Sequence, residues 1–183
     1  MKKTLISWND VKNHVQEILR QLHQDQWQPD YVVGITRGGL IPANLISQYL
    51  DCGMHTLDVS LRDANNSTGP ESNLWMAEEA FGYVPDPDST VRSSPAYQKN
   101  ILIVDDINDS GATLNWIQQD WRSSCLPNDP AWDNVWGHNV RVAVLYDNEV
   151  SQNQMDINYS AVDINKSVDD TWIVFPWENW WQR

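Results

Sequence analysis

The chain has 183 residues, 12 Lys and Arg against 25 Asp and Glu, and a formal charge of −13 at pH 7. Its length suits one domain, and 41% hydrophobic residues with eleven Trp exclude wholesale disorder. So negative a chain repels a phosphate backbone or an anionic bilayer, which excludes non-specific nucleic-acid and membrane binding; a phosphorylated ligand must instead be held by backbone N–H groups, a helix N-terminus or a divalent cation.

Ser7-Trp8-Asn9-Asp10 reads as an N-capping box, and Val11, Val15, Ile18, Leu19 and Leu22 recur at helical spacing, so a helix is expected to about Gln24, closed by Pro29. Tyr31 to Ile35 is a short apolar run suited to a strand buried on both faces. Thr36-Arg37-Gly38-Gly39 follows, then a helix over Leu40 to Leu50 with Pro42 tolerated in its first turn. A second strand is expected over His55 to Leu61. The stretch from Arg62 to Gln98 carries four prolines and no sustained period, the pattern of a lid or a disordered loop. Asn100 to Val104 is the strongest strand signal, followed by an acidic turn and a helix near Leu114 to Arg122. Residues 125–139 are rich in Trp, Pro and Asn; Val140 to Tyr146 reads as a buried strand, and weaker strands are expected at Tyr159 to Ile164 and Thr171 to Phe175. Strands alternating with helices predict an α/β fold whose parallel sheet collects ligands at its strand C-termini.

Cys52 and Cys125 have no metal-ligand spacing and are expected as reduced thiols without a structural metal. The four His are scattered, and most of the Trp residues are expected to pack in the core or a subunit interface. The N-terminus turns polar at Ser7, and no apolar run approaches the roughly 20 residues that a spanning helix needs, so a cytoplasmic protein is expected.

The chemistry concentrates in Asp105 to Thr113. Ser110, Gly111, Ala112 and Thr113 lie where a strand gives way to a helix, so their N–H groups and two hydroxyls can converge on a phosphomonoester. Asp105 and Asp106, expected at the strand end, point to opposite sides; their carboxylates suit a vicinal diol or Mg²⁺, held directly or through water. Together these groups fit a ribose 5-phosphate, and Asp109 stands where it can act as general acid or base toward a group at the other end of the sugar.

Val104 to Thr113 resembles the phosphoribosyl-pyrophosphate (PRPP) signature of type I phosphoribosyltransferases. Tyr31 to Pro42 is similar to that family's pyrophosphate loop, Asp170 to Glu178 to the hood of bacterial xanthine-guanine phosphoribosyltransferases, and Ser7-Trp8 matches in place. The resemblance implies a single domain over residues 1–183, with a core at about 28–150, a mobile catalytic loop at about 62–98, and a hood at about 151–183 with N-terminal contributions. It implies that Thr36, Arg37, Gly38 and Gly39 bind pyrophosphate and that Asp105 and Asp106 contact the ribose hydroxyls and the Mg²⁺ shell. Asp109 then sits against N7 of a purine, Ser110 to Thr113 cradle the 5′-phosphate together with Asp109, Trp172 stacks on the base, and Ile173 offers it backbone groups. The implied partners are PRPP, a nucleobase and further copies of the chain in a dimer or tetramer.

One departure bears on the substrate. In 6-oxopurine enzymes a lysine just past the fourth strand donates to the exocyclic oxygen, whereas Asp147 or Asn148 stands here. A carboxylate cannot donate to an oxo group, so either Asp147 accepts from an amino group of another base or Lys166 reaches in from the hood. Guanine, xanthine or hypoxanthine is the first choice of acceptor; adenine, a pyrimidine, or a non-catalytic sensor of PRPP or nucleotide are the alternatives. A phosphorelay receiver, which also opens on such an acidic pair with Asp147 as acceptor, is excluded because too little chain follows Asp106 and because Ser110 to Thr113 would have no task.

Overall fold

The computed structural model describes residues 2–59 and 73–182. Helix α1 (Trp8–Gln24) begins at the expected cap: the Ser7 Oγ accepts from the Asp10 N–H at 3.1 Å, and the Asp10 carboxylate accepts from the Ser7 N–H at 2.8 Å. Val11, Val15, Ile18 and Leu22 are its buried stripe. Strand β2 (Tyr31–Ile35) is buried along its whole length, as a strand covered on both faces must be, and leads through a tight turn into α2 (Leu40–Leu50).

Five parallel strands form the central sheet: β2, β3 (Gly53–Leu57), β4 (Ile101–Asn108), β5 (Val140–Asn148) and β6 (Tyr159–Ile164), in the order β3-β2-β4-β5-β6. Side chains alternate across it. Val33, Ile35, Ile101, Ile103, Val142 and Val144 face the layer of α3 (Leu74–Phe81) and α4 (Ala112–Ser124), while Val32, Leu102, Val104, Ala143 and Leu145 face α1 and α2.

Several boundaries differ from expectation. β3 starts and stops earlier than His55 to Leu61, and residues 60 and 61 lie outside the described residues, as does much of the expected lid. α3 was not expected inside the polar 62–98 stretch; Met76, Ala77, Ala80 and Phe81 bury one face, Gly82 ends it at φ 75°, and the Tyr31 hydroxyl donates to Glu79 at 2.8 Å. β4 runs on to Asn108 because the ladder continues, Asp105 opposite Val144 and Asn108 opposite Asp147; the acidic pair therefore lies within a strand. Trp121 and Trp132 are buried and Trp136 stacks on Trp132, whereas Trp180 and Trp181 stay exposed and pack in no core. Both cysteines are free.

A second, two-stranded parallel sheet pairs β1 (Lys2–Leu5), which was not expected, with β7 (Thr171–Val174). It is fastened to the main body by the His14–Tyr146 hydrogen bond of 3.0 Å and by Phe175, which meets Tyr146 edge-on and stacks on Trp177. No helix among the described residues is long and apolar enough to cross a membrane.

Candidate active site

The alternation of β4 fixes the two aspartates. Asp105 follows Ile103 toward the α4 layer, and Asp106 follows Val104 toward the α2 layer. Each carboxylate accepts from the next backbone N–H, Asp106 N at 2.9 Å and Ile107 N at 2.8 Å. With no cation beside them, both are pushed up: Asp105 well above the usual carboxylate range by desolvation and by the neighbouring Asp106, and Asp106 to about 6, mainly by desolvation, with Glu178 of the hood adding repulsion.

The turn after β2 closes over Asp106. A Cβ at Gly38 would lie 1.9 Å from the Asp106 Oδ2, and one at Gly39 would lie 2.3 Å from the Val104 carbonyl, so only glycine lets this loop approach the strand. The Thr36–Arg37 peptide is cis, the Thr36 hydroxyl donates to Asp58 at 2.9 Å, and Arg37 is exposed at the loop tip. Thr36, Arg37, Gly38 and Gly39 thus lie beside Asp106.

Asp105 opens on the other side into a cavity of about 80 Å³ lined by Asp109 and the turn from Ser110 to Thr113. Gly111 takes φ 85°, a left-handed conformation that lets the chain reverse from β4 into α4. The exposed first turn of α4 carries its free N–H groups at this cavity, a setting suited to a phosphate.

The hood supplies the third component. On β7 the Trp172 ring is 42% exposed while Ile173 is buried against the α1 layer. The turn joining β6 to β7 brings Lys166 to Asp109, with Nζ 2.8 Å from Oδ2 and only 16% of the lysine side chain exposed. Asp147, the other candidate at the base edge, accepts from the Asn108 amide at 2.8 Å and is pushed up chiefly by burial. Sequence reasoning missed Asn148: its amide donates to the Asp109 carbonyl at 2.8 Å and its oxygen accepts from the Lys166 N–H at 3.1 Å, tying the acidic turn to the hood. No spacing rule marks such an asparagine.

This layout of strand, acidic pair, glycine turn and helix has a match over nearly the whole chain: the phosphoribosyl transferase domain family covers residues 3–182. The chain belongs to that family. As a phosphoribosyltransferase it is an enzyme, and its relatives are distant. A xanthine-guanine phosphoribosyltransferase of Cereibacter sphaeroides is 27% identical over 179 residues, covering 94% of this chain and 85% of its own. A hypoxanthine-guanine phosphoribosyltransferase of Schizosaccharomyces pombe is 21% identical, covering 94% and 87%. Among solved structures, the purine phosphoribosyltransferase from Pyrococcus horikoshii Ot3 shares the fold at a TM-score of 0.63 and 22% identity, over 98% of this chain and 96% of that one.

A divalent cation fits this phosphoribosyltransferase. Among the described residues no group of three or more His, Cys, Asp or Glu converges. Two hard carboxylates whose ionised forms lack a counter-charge nonetheless match Mg²⁺, which keeps several waters and takes one or two protein carboxylates beside substrate phosphates.

Proposed function

We propose that the protein transfers the 5-phosphoribosyl group of PRPP to a 6-oxopurine, namely guanine, xanthine or hypoxanthine, giving the nucleoside monophosphate and pyrophosphate in purine salvage. The observation that carries the choice of base is the ion pair of Lys166 with Asp109. An ammonium has three N–H donors, and one directed to Asp109 leaves the others for an exocyclic oxygen. The names of the curated relatives support the same class.

In this reading Ser110 to Thr113 hold the 5′-phosphate, and Asp105 and Asp106 meet the ribose hydroxyls and the metal shell. When bound, Mg²⁺ neutralises the leaving pyrophosphate. Thr36, Arg37, Gly38 and Gly39 receive that group, Trp172 stacks on the base, and the Ile173 backbone meets its edge. Asp109 accepts the proton at N7 as the base nitrogen bonds to the anomeric carbon and the C–O bond to pyrophosphate breaks. The carboxylates balance the positive charge that develops on the sugar, so catalysis is mostly positioning and electrostatics. One catalytic domain spans 1–183, its core at about 28–150, its hood at about 151–183, and the 62–98 segment covers the reacting centre to exclude water. Dimers or tetramers of the chain complete the proposal, read by sedimentation.

The test is incubation with PRPP, Mg²⁺ and a panel of purine and pyrimidine bases, with products identified by mass, for the wild type and Lys166→Met. The expected result is a 6-oxopurine nucleotide, with KM for that base raised roughly tenfold or more in the variant. An adenine or pyrimidine product overturns the base assignment and returns recognition to Asp147. PRPP binding without any product overturns the enzymatic reading in favour of a sensor.

A further inference from the structure

The N–H groups of a phosphate cradle are useful only when they face the anion, and in a planar trans peptide the N–H of one residue points opposite the carbonyl of the residue before it. Three successive carbonyls of this turn are held. Asp109 O accepts from the Asn148 amide at 2.8 Å, Ser110 O from the Gln152 N–H at 3.0 Å, and Gly111 O from the Asn115 N–H at 3.0 Å. The N–H groups of Ser110, Gly111 and Ala112 are thereby turned the opposite way.

The middle restraint is the indirect one, because Gln152 belongs to a segment without regular structure that follows β5. Asn115, in the second turn of α4, grips that segment from both sides: its Nδ2 donates to the Gln152 carbonyl at 2.8 Å, and its Oδ1 accepts from the Gln154 N–H at 2.7 Å. The strap is also packed against the turn. A Cβ at Gly111 would lie 2.4 Å from the Asn153 nitrogen and 2.8 Å from the Gln152 carbonyl carbon.

We propose that Asn115 is a positioning residue for anion binding: by clamping Gln152 and Gln154 it holds the Ser110 carbonyl and aims the Gly111 N–H into the phosphate cavity. This inference rests on the reading of Ser110 to Thr113 as the 5′-phosphate site, and the experiment separates the two. Ribose 5-phosphate is titrated into the wild type, Asn115→Ala and Asn115→Asp by calorimetry, with the Gly111 and Ala112 amides followed by NMR, and KM for PRPP and for the base is measured in each protein.

In the wild type, ribose 5-phosphate shifts the Gly111 and Ala112 amides; binding that leaves them unmoved overturns the cradle reading itself. In Asn115→Ala, Kd for ribose 5-phosphate and KM for PRPP rise about tenfold, KM for the base is unchanged, and the loss falls on KM more than on kcat. Asn115→Asp is isosteric and retains the acceptor for Gln154, so it tests the clamp even if the alanine variant fails to fold. Ionised, it lacks the donor to Gln152 and behaves as the alanine variant does. As the pH falls and the carboxyl regains a donor, its Kd relative to wild type contracts, and that of a folded Asn115→Ala does not. Unchanged ribose 5-phosphate affinity in Asn115→Asp, or an equal rise in KM for the base, overturns the positioning role.

Discussion

Asp109 is half exposed, yet it is among the most restrained acids of the chain, with its carboxylate on Lys166 and its carbonyl on Asn148. An ion pair of that exposure contributes little to stability, so its value lies in where it holds the two charged ends. If Asp109 moves the proton, Asp109→Asn lowers kcat by roughly 10²–10⁴ while PRPP still binds, measured by turnover beside calorimetric titration. Near-normal turnover removes Asp109 from that role. The Asp105 to Thr113 segment was legible at this scale because its residues are contiguous and each type has one obvious use. Lys166 was legible only as an alternative, since Asn165-Lys166-Ser167 reads as an ordinary polar turn until folding carries it to β4. Asn115 and Asn148 gave no signal at all, because an amide that holds a carbonyl looks like any surface asparagine.

Among the elements, α1 shows how a helix reaches the site without entering it. Its His14 meets the Tyr146 hydroxyl at the C-terminal end of β5, and burial holds the imidazole below its ordinary pKa, a shift that Asp10 one turn earlier opposes. A histidine whose folded pKa is depressed binds fewer protons in the native state, so it stabilises fully above about pH 6.5 and loses that contribution as pH falls through the folded pKa. Comparing denaturant unfolding of wild type and His14→Gln from pH 7.5 to 5, the wild type should lose relative stability toward acid. Parallel curves rule the histidine out. The elements themselves were read unevenly for physical reasons. α1, β2 and α2 carry long stripes or wholly apolar runs, whereas β1 is four exposed residues with no alternation to see. The α3 helix, eight residues long, hides in a stretch whose prolines outweigh it, although Met76, Ala77, Ala80 and Phe81 do carry the helical period.

At the scale of the molecule, the parallel sheet was implied by the alternation of strands and helices, and with it the gathering of turns at the C-terminal ends of β2, β4 and β5. The small β1–β7 sheet was not, because pairing across such a separation leaves no local trace. It carries Trp172 and Ile173, so removing residues 1–5 should raise KM for the base severalfold and leave ribose 5-phosphate affinity within about twofold, as measured by steady-state kinetics and calorimetry. An equal loss in both would mean that the strand supports the whole fold. The pairing also has a consequence in time. Lys2 and Asp169, bridged at 2.7 Å, stand 167 residues apart in sequence, so a ribosome delivers the phosphate turn long before the partner that β1 awaits. A nascent chain released just after β5 would own every carboxylate named above and have nowhere to put a base. Contacts this distant close late and slowly, which makes substrate specificity the last property the growing polypeptide acquires.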